Sequence, residues 1–130
     1  MSVAYVDTSF VLAIIFAEPR ARALRAALAR HAGVFAGDLL VAETLSAAAR
    51  EGLEGAAVRA AAQSISLVLP DRTLEPEMRE CLAHGYLRGA DLWHVACAMF
   101  VAGTARSELT FLSRDAAQRK VARKLGFRVP

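Results

Sequence analysis

A chain of 130 residues and 13.9 kDa is the size of one compact domain, enough to bury roughly two thirds of its unfolded surface and too short for a second domain. A hydrophobic fraction of 55% and a mean hydropathy of +0.33 exclude disorder as the main state and imply a large core or an apolar surface kept for a partner. The formal charge of +3 and the pI near 9.3 rest mostly on arginine, whose guanidinium groups suit carboxylate or phosphate recognition.

Two cysteines, Cys81 and Cys97, stand in apolar helical contexts without a C-x-x-C arrangement, so neither a disulfide framework nor a zinc site is expected. A reducing cytoplasm is the expected setting. No signal peptide is expected, because Val3 opens the first strand almost at once and Asp7 interrupts its apolar run. The apolar stretches Phe10 to Ala17 and Val95 to Gly103 are too short to span a bilayer.

Val3-Ala-Tyr-Val predicts a strand buried on both faces, stopped by Asp7, Thr8 and Ser9. Asp7 therefore sits where a strand ends, the place where parallel sheets gather their ligand sites; its plainer role is to cap the next helix. Phe10 to Phe16 continues apolar up to Glu18-Pro19, and an amphipathic helix follows with Arg20, Arg22, Arg25 and Arg30 on its wet face. Val34-Phe35-Ala36 predicts a second short strand, and Asp38 the cap of a helix from about Leu39 to Arg50. Glu43 is the only charge between Asp38 and Arg50. Its neighbours Val41, Ala42 and Leu45 demand a cation or strong hydrogen bonds unless it faces solvent.

After Gly52 an alanine-rich helix is expected over Glu54 to Gln63, then a buried strand over Ile65 to Leu69, ended by Pro70-Asp71. Asp71 reads as turn chemistry. Glu75-Pro76-Glu77 starts a helix heading towards Leu87, and Gly89 separates it from an almost wholly apolar one. Asp91 lies in the first turn of that helix and shares a face with His94, three residues on. Either residue also has a structural role open to it: Asp91 as a cap, His94 as a core histidine with one hydrogen bond. Leu109-Thr-Phe-Leu predicts a fourth strand, followed by Ser113, Arg114 and Asp115 and then a basic helix. Phe127 to Val129 predicts a short edge strand. Strands alternating with helices argue an α/β fold with a mainly parallel sheet.

Four carboxylates thus stand out by position: Asp7, Glu43, Asp91 and Asp115. Brought together, they would repel one another and raise their pKa values unless a cation neutralised them. Oxygen ligands without a thiolate cluster or histidine set select a hard ion, Mg²⁺ or Mn²⁺, of the kind that serves phosphodiester hydrolysis. Ser9 and Ser113 stand beside the acids to orient water or an acid, and His94 can support them from behind.

Val-Asp-Thr-Ser at the start, Glu43 in the third helix, Leu-Arg-Gly-Ala-Asp-Leu-Trp-His and Phe-Leu-Ser-Arg-Asp together resemble a PIN-domain protein, most nearly the VapC-type toxins of toxin–antitoxin pairs. The resemblance spans essentially the whole chain. It implies a single domain over 1–130, a three-layer α/β/α fold with a mainly parallel five-stranded sheet, and a metal-dependent endoribonuclease inhibited by a cognate antitoxin. Carried over by position, Asp7, Glu43, Asp91 and Asp115 would be the metal-binding and catalytic acids. Ser9 and Ser113 match the family's hydroxyl positions. Arg88 and Arg114 are placed to reach RNA phosphate, or else form ordinary ion pairs. Alanine-rich helices and the apolar composition suit an antitoxin groove and a homodimer interface. Trp93 reads as core rather than as a base platform.

A metal-dependent adhesion module would need a serine where Val11 stands. A phospho-acceptor receiver would need an acidic pair after the first strand and a lysine after a late one. A PIN-like domain that binds RNA or a protein without cutting carries the same four acids and stays open.

Overall fold

The structure, a computed structural model, describes residues 2–130. Among them the order is β1 (Val3–Val6), α1 (Thr8–Ile15), α2 (Ala21–Ala29), β2 (Gly33–Gly37), α3 (Leu39–Arg50), α4 (Gly55–Ala62), β3 (Ser66–Val68), α5 (Glu75–His84), α6 (Gly89–Ala102), β4 (Leu109–Leu112) and α7 (Ala116–Lys124). The period of two along each strand splits its side chains between two cores. Tyr5, Phe35 and Phe111 face the core shared with α5, α6 and α7. Ala4, Val6, Val34 and Leu112 face the other, built with α1, α2 and α4. Both faces of the sheet are covered, as an all-parallel sheet requires.

The sheet is parallel throughout, in the order β3-β2-β1-β4. From β1 the chain winds outward through β2 and β3, then crosses back to place β4 on the far side of β1. Strand order therefore reverses at β1, and the crevice beyond the carboxyl ends of β1 and β4 is where such folds bind ligands. Val6 pairs with Leu112, and Asp7 N–H donates to Leu112 O at 2.9 Å. That register sets Asp7 beside Ser113.

The expected fifth strand is reduced to one bridge, Arg128 with Thr110, so the sheet has four strands among the described residues. Gly126, at φ +100°, turns the chain back, the buried Phe127 anchors it against Phe111, and Pro130 offers no N–H to extend the ladder. The strand expected over Ile65 to Leu69 forms only over Ser66–Val68, and it is not buried: Leu67 is 42% and Leu69 71% exposed. As the edge strand β3 has a neighbour on one side only. Asp38 makes no side-chain cap; it adopts helical angles, and its carbonyl accepts from Val41 N–H at 3.0 Å. Among the described residues no helix is long and apolar enough to cross a membrane.

Candidate active site

Asp7 is both the cap of α1 and the innermost acid of the crevice, only 3% exposed. A carboxylate so buried must be hydrogen-bonded, and three groups do this. Ser9 donates to Oδ2 from its backbone N–H at 3.1 Å and its hydroxyl at 2.7 Å, while Gln118 Nε2 donates to Oδ1 at 3.2 Å. Of the two serines expected to orient water or an acid, Ser9 holds the acid Asp7 and Ser113 holds Gln118, which in turn holds Asp7. Ser113 gives its proton to Gln118 Oε1 at 2.7 Å and accepts from Asp115 N–H at 2.9 Å; Ser9 Oγ accepts from Arg114 N–H at 3.0 Å.

Glu43 reaches the same crevice from α3. Thr8 Oγ1 donates to its Oε1 at 2.8 Å, and His94 Nε2 lies 2.6 Å from that oxygen. The His94 hydrogen bond holds the Glu43 carboxyl below the usual range; burial opposes this and the Thr8 bond adds to it. The ring's other nitrogen, Nδ1, is 3.0 Å from the Tyr5 hydroxyl, which accepts from Gly37 N–H at 2.9 Å. Burial pushes the Tyr5 phenol well above its ordinary value, so Tyr5 keeps its proton and has Nδ1 to give it to. The neutral imidazole is then the Nε2–H tautomer, with its proton aimed at Glu43.

Asp91 stands half-buried in the first turn of α6. Burial, then the charges of Asp115, Asp7 and Glu43, raise its carboxyl above the ordinary value. Asp115 caps α7 by accepting from Gln118 N–H at 2.8 Å. Asp7, Glu43, Asp91 and Asp115 all line one cavity of about 510 Å³, with Ser9 and Arg50 also in its walls. His94 and Ser113 stand behind that wall. Arg88 is exposed at the cap of α6, and Arg114 lines a neighbouring cleft while pairing with Glu18 at 3.3 Å. Trp93 packs over Gly37 and belongs to the core, as expected.

A family model described as the PIN domain matches residues 4–124. This chain belongs to the PIN-domain family. No curated protein matches it. PIN domains are generally metal-dependent nucleases, and their usual divalent ion can be tested against the donors present. Among the described residues no three carboxylate, imidazole or thiolate groups converge closely enough to hold an ion by themselves. The donors are nonetheless all oxygen, they face one cavity, and Asp91 feels the charge of the other three. A hard ion that keeps several of its waters and leans on one or two carboxylates suits this PIN-domain cavity; a dehydrated ion chelated by all four does not.

The residues missed at the sequence level are Tyr5, Thr8, Gln118 and Arg50. Gln118 is wholly buried, joining Asp7, Ser113 and the Asp91 carbonyl, to which its Nε2 donates at 3.1 Å. Asp115-x-x-Gln118 matches a helix capping box, a signal that identifies the helix start but not the side chain's inward turn.

Proposed function

We propose that this chain is the toxin component of a type II toxin–antitoxin system, a divalent-metal-dependent endoribonuclease of the VapC type that hydrolyses RNA phosphodiester bonds. The observation that carries the reading is the meeting of four acids from four separate elements in one cavity at the reversal of strand order. Mg²⁺ or Mn²⁺ would be held there by one or two of the carboxylates of Asp7, Glu43, Asp91 and Asp115 directly and by the others through water, and would supply charge neutralisation and an acidified water.

The chain's own residues do the rest. Ser9 and Gln118 fix Asp7 in one orientation, so its carboxylate needs no rearrangement when a phosphate arrives. His94 and Thr8 fix Glu43 in the same way, as a carboxylate kept ionised. Asp91, whose proton is held more tightly than an ordinary aspartate's, is the member of the set best suited to pass a proton. Arg50 at the cavity wall and the exposed Arg88 give an RNA backbone cationic approach.

Val41 and Leu45 are exposed on α3 beside Ala42 and Ser46, which line the acid cavity. Such an apolar stripe next to a charged crevice fits a cognate antitoxin segment that covers the acids. Leu67 and Leu69 near β3 supply apolar surface for a homodimer. The protein then works in the cytoplasm, where its RNA lies.

Induced expression in a bacterial host is the test. The proposed toxin stops growth and fragments cellular RNA, Asp7→Asn does neither, and a small DNA-binding protein encoded beside it relieves the arrest. Unimpeded growth with intact RNA and abundant folded protein would reject the toxin reading. The second reading is a PIN domain that binds RNA or a protein without cutting, since among the described residues no three ligating groups converge closely; wild-type binding without cleavage in Mg²⁺ or Mn²⁺ would select it.

A further inference from the structure

Next to the acid cavity runs a second cleft of about 560 Å³, between α2 and the outer edge of β4. Its rim carries Arg20, Arg30, Arg114 and Arg119, and no aspartate or glutamate stands in its walls. Four guanidinium groups around one hollow repel each other, and no acidic side chain of the lining offsets them. Among the described residues Arg20 and Arg30 form no ion pair. Arg119 donates to Pro130 O at 2.6 Å, so among the described residues Arg20 and Arg30 are the two guanidinium groups of the rim without a partner of this kind. The Arg114–Glu18 pair, at 3.3 Å, is solvent-exposed on both sides, the kind of pair that holds little energy and exchanges readily.

Three further features point to a ligand. Between the arginines the wall is apolar, with Ala23, Ala27 and Pro130 accessible over the buried Phe10, Leu24 and Phe111, so the cleft offers apolar surface as well as charge. His31 also lines the cleft and adds an imidazole ring to its wall. Finally, one end of the cleft adjoins the residues that hold the acids. Ser113 and Arg114 line it, and both touch the machinery around Asp7: Ser113 Oγ lies 3.4 Å from Asp7 Oδ2, and Arg114 N–H binds Ser9 Oγ.

We infer that this arginine-rimmed cleft is a second subsite for single-stranded RNA, gripping the backbone phosphate and base of a nucleotide flanking the bond that lies over the acids. The inference rests on the nuclease reading and names where its substrate runs. Guanidinium forks suit phosphate oxygens bidentately, an apolar wall accepts an unstacked base, and the volume falls in the range of small-ligand sites, room for about one nucleotide. A double strand would keep its bases stacked and out of the cleft, so the subsite selects loops and unpaired segments.

The experiment compares wild type with the double variant Arg20→Gln/Arg30→Gln and with a control, Arg22→Gln/Arg59→Gln, whose arginines are exposed outside this cleft. Arg20 and Arg30 are exposed too, so the fold does not depend on them. Binding of a labelled single-stranded RNA oligonucleotide is measured in chelator across a salt series, and cleavage kinetics in Mn²⁺. The account expects the double variant to bind roughly tenfold more weakly, with the salt slope reduced by about 1.4 for two lost phosphate contacts, and with the loss of activity in KM rather than kcat. The control keeps wild-type values. Wild-type cleavage together with unchanged binding and KM in the double variant would overturn the subsite and leave the nuclease reading standing. A wild type that neither binds nor cuts RNA would overturn both. If AMP or inorganic phosphate stabilises wild type but not the double variant, while RNA binding is the same in both, the cleft is a site for free small anions and the inference fails.

Discussion

His94 Nε2 lies 2.6 Å from Glu43 Oε1 while the opposite nitrogen of the same ring faces the Tyr5 hydroxyl. The ring thus links a buried backbone amide, Gly37 N–H, through Tyr5 to an acid in the cavity. Each bond in the series fixes the proton of the next, and Glu43 receives a donor whose direction is set from inside the core. Replacing His94 with alanine removes that donor and leaves the Tyr5 hydroxyl proton without its acceptor, its bond from Gly37 N–H remaining. Activity is expected to fall roughly 10–100-fold, the usual cost of losing a group that orients a ligating residue. His94→Gln, which can still present an N–H to Glu43, recovers part of the loss. Steady-state cleavage of a fixed RNA substrate by the two variants reads this directly, and equal loss in both would count against the orienting role.

Asp91 imposes a pH dependence on stability. Its carboxyl is raised by burial and by three neighbouring acids, so the folded chain holds this proton at pH values where the unfolded chain has released it. Raising the pH from the ordinary value of 3.8 through the raised one therefore costs stability. Glu43 acts with the opposite sign: its depressed pKa contributes stability above 4.5 that is lost as pH falls through the folded value. At neutral pH the metal-free Asp91→Asn protein is expected to melt slightly above wild type, the gain being small because solvent screens a half-exposed carboxyl. Added Mn²⁺ should raise the melting temperature of wild type and not of the variant. Thermal melts with and without metal decide it; a lower Tm for metal-free Asp91→Asn would contradict the repulsion.

Gly37 is held to its small size from two sides. A methyl group there would enter the space of the Trp93 ring and come within 3.0 Å of the Tyr5 hydroxyl. Gly37→Ala is expected to cost about 1–3 kcal/mol and to lower activity by shifting Tyr5 and His94, although it touches none of the acids. Denaturant unfolding paired with kcat measures both. Unchanged kcat in a destabilised variant would show that the Tyr5–His94 link is structural only.

Gln118 joins three partners in a space closed to water. Gln118→Leu keeps the volume roughly but strands Asp7 Oδ1 and the Ser113 hydroxyl, an expected loss of about 1–3 kcal/mol with reduced metal affinity. Gln118→Glu should be worse at neutral pH, since it sets a carboxylate against Asp7. Mn²⁺ titration by calorimetry separates the two variants.

The parts of this site that lie at element boundaries were legible in the sequence. Asp7 and Asp115 follow buried strands, and parallel pairing brings those strand ends together, so their meeting follows from pattern alone. Glu43 stood out because an apolar helix offers a lone charge no local partner, and His94 supplies that partner. Tyr5, Thr8 and Gln118 were not legible because each reads locally as something ordinary: a strand aromatic, a helix-start hydroxyl, a capping glutamine. Their importance comes from partners far along the chain, at His94, Glu43 and Asp7. The burial expected for Leu67 and Leu69 failed for a related reason. Apolar pattern identifies a strand but not its rank in the sheet, and β3 falls on the edge. The fifth strand failed by one residue type, the proline that follows Val129.

The most direct measurement is cleavage of a labelled single-stranded RNA pool by antitoxin-free protein in Mg²⁺ or Mn²⁺, in chelator, and with Asp7→Asn and Asp91→Asn. The account predicts internal cuts that require metal and vanish in both variants. Cutting that survives in chelator, or in Asp7→Asn, would contradict the assignment of catalysis to the four-acid cavity.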